Sequence, residues 1–87
     1  MYSESQRAGL IRTFDKWEGK FSSPRWVMKD DEERGRVVFI RALMLAARRM
    51  LAVGDEDSDS AARVLIASML SEIDDAQDFY KKRLQEA

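Results

Sequence analysis

The sequence predicts an all-α fold: a long antiparallel helical hairpin with a shorter N-terminal helix laid across it, dimerising into a helical bundle. Three observations predict this. The chain holds four glycines and one proline in 87 residues, too few for the many turns of an all-β fold. Its apolar residues recur at steps of three and four in three separate segments, the period of one helical face. The second and third segments are separated by only about four residues, and so short a connection makes neighbouring helices run antiparallel. The whole chain, 1–87, reads as one helical domain with helices over about 4–18, 31–53 and 59–85.

The first helix is announced by Ser3 and Gln6, a capping box in which serine accepts from a free amide and glutamine reaches back. Leu10, Phe14, Trp17 and Phe21, with Ile11 beside them, fall on one face. Gly19 weakens the helix end and Ser22-Ser23-Pro24 breaks it. Serine followed by proline also suits a helix start, so residues 24–29 read as a single helical turn or an ordered loop. Trp26, Val27 and Met28 make that stretch too apolar to be left in water.

The second helix opens on four consecutive acids, Asp30 to Glu33, where the helix dipole favours negative charge. Asp30 and Glu33 imitate a capping box, and Gly54 offers a C-terminal cap. Val37, Ile40, Met44, Ala47 and Leu51 form one apolar stripe, and Phe39, Leu43, Ala46, Met50 and Val53 form another. Together they exceed the apolar arc of an ordinary surface helix, so this helix is expected at the centre of the fold. A surplus apolar face usually marks an interface. Phe39, Leu43 and Met50 are therefore expected to face a second copy or another protein.

In the third segment Ala62, Ile66, Met69, Ile73, Ala76 and Tyr80 repeat with heptad-like spacing, widened by Leu65, Leu70, Phe79 and Leu84. Folding the hairpin about Asp55-Glu56-Asp57-Ser58 places Arg41 near Glu72, and Arg34 or Arg36 near Asp75 and Asp78.

The composition narrows the functional classes. There is no histidine and no cysteine, which removes the usual acid/base group at neutral pH, thiolate nucleophiles and disulfides. Charged residues make up 36% of the chain yet the net charge is −1, unlike the basic field of a simple nucleic-acid binder. No stretch reaches membrane-span length, and no basic-then-apolar segment opens the chain. The lack of cysteine fits a reducing, cytoplasmic setting.

No motif carries catalysis or a cofactor. Asp55, Asp57 and Asp59 alternate like calcium-loop ligands, but Ser60 replaces the needed glycine and Ile66 the bidentate glutamate. They read as an acidic helix start. Glu72, Asp74, Asp75 and Asp78 read as a solvated or salt-bridged face, so no metal is expected. Arg34, Arg41 and Arg48 recur every seven residues; pairing to acids of the third helix is the plain reading, and contact with a nucleic-acid backbone is the alternative. Small helical chorismate mutases also use arginines, but Gly19 and Pro24 interrupt the long first helix they have. A helix-turn-helix reading fails because residues 24–30 are short and run into four acids.

Trp17, Phe21, Arg25 and Trp26 cluster about the Ser-Ser-Pro break. Tryptophan and arginine are frequent binding hot spots, so this cluster is either a small core closing the first helix or a partner-binding knob. In size, helical content and its tryptophan- and arginine-rich character, the chain from Met1 to Ala87 resembles the compact helical regulators of phages and prophages, antirepressors being the nearest type. That resemblance implies a non-catalytic regulator of a DNA-binding repressor or a host enzyme, in a bacterial cytoplasm.

Overall fold

The computed structural model describes residues 1–75. These form three helices and no strand: α1 (Glu4–Phe21), α2 (Asp31–Val53) and α3 (Glu56–Asp75). The readings made on Ala76, Asp78, Phe79, Tyr80, Lys81, Lys82, Arg83 and Leu84 lie outside the described residues. None of the helices is long and apolar enough to cross a membrane.

α1 starts on its capping box. The Ser3 hydroxyl accepts from the Gln6 amide at 3.1 Å, and Gln6 Oε1 accepts from the Ser3 amide at 2.9 Å. The helix runs through Gly19 to Phe21 instead of stopping near Glu18. A glycine inside a helix costs only about 1 kcal/mol, while burying Phe21 at 4% exposure contributes about 1.5–3 kcal/mol. The aromatic anchor outweighs the weak link.

Ser22 to Arg25 then make a turn, not a helix start. The Trp26 amide donates to the Ser23 carbonyl at 3.0 Å, and the Arg25 amide donates to the Ser23 hydroxyl at 3.2 Å. Serine and proline here build a turn. Residues 26–29 continue without helical structure.

Asp30 caps α2 by accepting from the Glu33 amide at 2.8 Å. The return bond differs from a capping box: Glu33 Oε2 accepts from the amide of Lys29, not that of Asp30, at 2.7 Å. The bond ties the incoming loop to the first turn of α2. Gly54 ends the helix at φ +80°, a left-handed conformation that favours glycine.

α3 begins at Glu56, earlier than the expected start at 59. Asp55 caps it at once, its carboxylate accepting from the Ser58 amide at 2.7 Å, so only Gly54 and Asp55 separate α2 from α3. That bond also holds the Asp55 carboxyl below its usual pKa.

α2 packs on both other helices, more extensively on α3 than on α1. Val37, Ile40, Met44, Ala47 and Leu51 are at most 1% exposed and form the centre of the core. Phe14, Phe21 and Trp26 meet this stripe from the α1 side, and Ala62, Met69 and Ile73 from α3.

Candidate functional site

Two polar systems fix the framework, and among the described residues they leave apolar side chains of α2 exposed. The first lies where α1 begins. Arg7 Nη1 donates to Asp59 Oδ1 at 2.6 Å and to the Leu51 carbonyl at 2.7 Å. Its Nη2 donates to Asp59 Oδ2 at 2.8 Å and to the Tyr2 carbonyl at 3.3 Å. The Tyr2 amide completes the set, donating to Asp59 Oδ2 at 3.0 Å, and the Arg63 guanidinium lies 4.8 Å from the Tyr2 ring centroid. One aspartate at 1% exposure thus joins the starts of α1 and α3 and the end of α2. A bidentate guanidinium–carboxylate pair is among the strongest protein hydrogen-bond geometries. The Arg7 bond holds the Asp59 carboxyl down at a pKa of about 2, with the Tyr2 amide assisting against desolvation. At neutral pH Asp59 is charged with both oxygens occupied, so it is not poised to take a proton.

The second system runs along α1 and α2. Arg48 donates to Asp15 at 2.7 and 3.2 Å. Arg41 Nε donates to Glu18 Oε2 at 3.1 Å, a second bond joins Arg41 Nη2 to Glu18 Oε1, and Nη2 also donates to the Ser22 hydroxyl at 3.2 Å. Arg7, Asp15 and Glu18 therefore meet Leu51, Arg48 and Arg41 in reverse order along the chain. Hydrogen bonds from Arg48 and Arg41 lower the pKa of Asp15 and Glu18 respectively. The expected pairing of Arg41 with Glu72 is corrected here: Arg41 bonds to α1. Arg36 pairs within α2, with Glu32 at 3.6 Å. Of the arginine stripe, Arg41 and Arg48 are held by acids of α1, and Arg34 is exposed.

Around the Ser-Ser-Pro break, Phe21 and Trp26 are buried, with ring centroids 4.7 Å apart and planes at 58°. Trp17 is half-buried and lies 6.2 Å from the Phe14 ring, and Arg25 is exposed. Most of the aromatic area expected of a knob is thus spent inside the chain. Pro24, Arg25 and Val27 remain at the surface, Val27 at 72% exposure.

The open surface is the outer side of α2. Val38, Phe39, Leu45 and Val53 are exposed by 59, 48, 42 and 61%. Gly35, Ala42, Arg49 and Ala52 are exposed among them. Phe39 is exposed. Leu43 and Met50 are not: both are half-buried and packed against the core. They border the buried stripe on one side, so core packing claims them, and the free apolar surface is centred further round the helix on Val38, Ala42 and Leu45.

Sequence reasoning missed the Arg7–Asp59 pair. A signal was present: Arg7 extends the stripe of Leu10, Phe14, Trp17 and Phe21, and Asp59 extends that of Ala62, Ile66, Met69 and Ile73. Opposite charges at core positions of two helices need each other. Glu33 sits likewise on the Val37–Leu51 stripe and is 6% exposed. The three acids that imitate a calcium loop part company, Asp55 capping α3, Asp59 binding Arg7 and Asp57 facing out. Among the described residues no group of acids is arranged to hold a metal ion. No protein-family model, curated protein or solved structure matches the chain.

Proposed function

We propose that this chain is a non-catalytic protein-binding regulator that works through helix-on-helix association at the outer side of α2. The observation that carries this reading is the apolar run Val38, Phe39, Leu45 and Val53 on a helix whose opposite side is already the core. In this reading α2 and α3 form an antiparallel hairpin, which the two-residue connection Gly54-Asp55 favours. The hairpin displays α2, and self-association covers it. The surface of the 22–29 turn, with Arg25 and Val27 outward and Trp17 half-covered, then serves a second protein. A DNA-binding repressor or a host enzyme is the proposed target.

The nucleic-acid reading is the weaker one, since Arg41 and Arg48 already hold carboxylates of α1. The decisive experiment is sedimentation of the intact chain across a hundredfold range of concentration, alone and with duplex DNA at two salt concentrations. The expected result is a species heavier than one chain and no DNA-bound species. A single-chain mass at every concentration, together with salt-sensitive DNA binding, would reverse the assignment.

A further inference from the structure

We propose that the outer side of α2 is covered by α2 of a second copy, running in the opposite direction, with Asp31 against the partner's Arg49. This rests on the reading of that surface as one covered by self-association, and adds the helix that covers it, its direction and its register.

The seam is read from six exposed residues: Asp31, Gly35, Val38, Ala42, Leu45 and Arg49. Their steps of four and three form a heptad stripe. A reversed copy laid along it places Asp31 opposite the partner's Arg49, Gly35 opposite the partner's Leu45, and Val38 opposite the partner's Ala42. One two-fold axis beside residue 40 generates all three pairings and their reciprocals, as an isologous interface requires. Each apolar layer sets a large side chain against a small one, and the polar layer sets an acid against a base. A parallel, in-register pair instead stacks Asp31 on the partner's Asp31 and Arg49 on the partner's Arg49, with glycine facing glycine. Charge and volume both select the antiparallel arrangement.

Two further observations point the same way. Gly35 lies inside α2, and a Cβ built there meets no atom within 4 Å beyond its chain neighbours and its own stretch of helix backbone. Nothing among its neighbours requires a glycine, although glycine weakens a helix. In the proposed pair, Gly35 leaves room for the partner's Leu45. Arg41 and Arg48, which flank the seam, already hold Glu18 and Asp15, so two of the three arginines in that row bring their own counter-charge to a second copy. Phe39, beside the axis, meets the partner's Phe39.

Thiol cross-linking tests the register directly, because the natural chain has no cysteine. Asp31→Cys and Arg49→Cys chains are prepared separately, mixed, and treated with a short bis-maleimide. The mixture is expected to give a cross-linked dimer, and each variant alone none, since like positions lie about 27 Å apart along the seam at about 1.5 Å per residue. Cross-linking within either variant alone overturns the register. Absence of cross-linking from the mixture, with a single-chain mass for the wild type, overturns the second copy.

Leu45→Glu, at an exposed position and checked for unchanged helical content by circular dichroism, should weaken the dimer at least about a hundredfold by burying an unpaired charge. Gly35→Leu should strengthen the isolated helix yet weaken the dimer at least about tenfold by overfilling the seam. A monomeric wild type that binds a different protein, and loses it with Leu45→Glu, overturns the second copy but keeps the surface. A dimer unaffected by Leu45→Glu overturns both readings.

Discussion

Where α1 begins, Arg7 and Tyr2 bond to the buried Asp59 of α3 and Arg7 also bonds to the Leu51 carbonyl of α2; where α1 ends, the tilted rings of Phe21 and Trp26 pack together in the core beside the buried stripe of α2. The first closure depends on charge and direction, and neither partner is tolerable without the other. The second depends on volume, and any ring of similar size serves it. The two ends should therefore respond to opposite kinds of substitution.

The largest effect is expected at the polar end. Asp59→Ala leaves a guanidinium and an amide without their shared carboxylate acceptor, and should lower the melting temperature more than Trp26→Ala or Arg36→Ala does. Asp59→Asn should recover little, because the amide replaces charge and half the acceptor capacity. Thermal unfolding followed by circular dichroism measures both. At the aromatic end, Trp26→Ala should cost about 3–5 kcal/mol, and Trp26→Phe should restore most of that. If Asp59→Asn is tolerated while Trp26→Phe is not, the contrast between the ends is wrong.

Acid separates the ends further. The folded-state pKa of Asp59 is lowered from 3.8 to about 2. Its contribution is thus fully present above pH 3.8 and is lost as pH falls towards 2. Asp15, Glu18 and Asp55 are also lowered, so all four act in the same direction. Denaturant titrations at pH 5 and below should show stability falling with pH in the wild type, less steeply in Asp59→Asn, and with the wild-type slope in Trp26→Phe. The smallest effect is expected for Arg36→Ala. The Arg36–Glu32 pair is exposed and spans 3.6 Å within one helix, and its loss should change stability by no more than about 0.5 kcal/mol.

The helices were legible in the sequence to different degrees, and the reasons are local. The cap on Ser3, the cap on Asp30 and the stop at Gly54 are chemical signals carried by single residues, and the structure uses all of them. The end of α1 is not legible locally, because Gly19 and Ser22 are local weak points whereas Phe21 is held by a partner five residues further on. The buried stripe Val37–Leu51 follows from periodicity alone. Periodicity does not say which flank of that stripe a neighbour covers, so it does not separate the half-buried Leu43 and Met50 from the exposed Val38 and Leu45. The same limit misassigned Arg41: spacing along α2 shows which residues share a side, not whether α1 or α3 supplies the acid.

The bond between Tyr2 and Asp59 spans 57 positions of sequence, and that between Arg7 and Leu51 spans 44. Contacts so distant in sequence carry a loop-closure cost that the two-residue connection between α2 and α3 avoids. Loop closure therefore favours the meeting of α2 with α3 over the fastening of the start of α1, which is expected late in assembly. A defect at the fastening leaves the early steps untouched, so it shortens the lifetime of the folded chain more than it delays its formation.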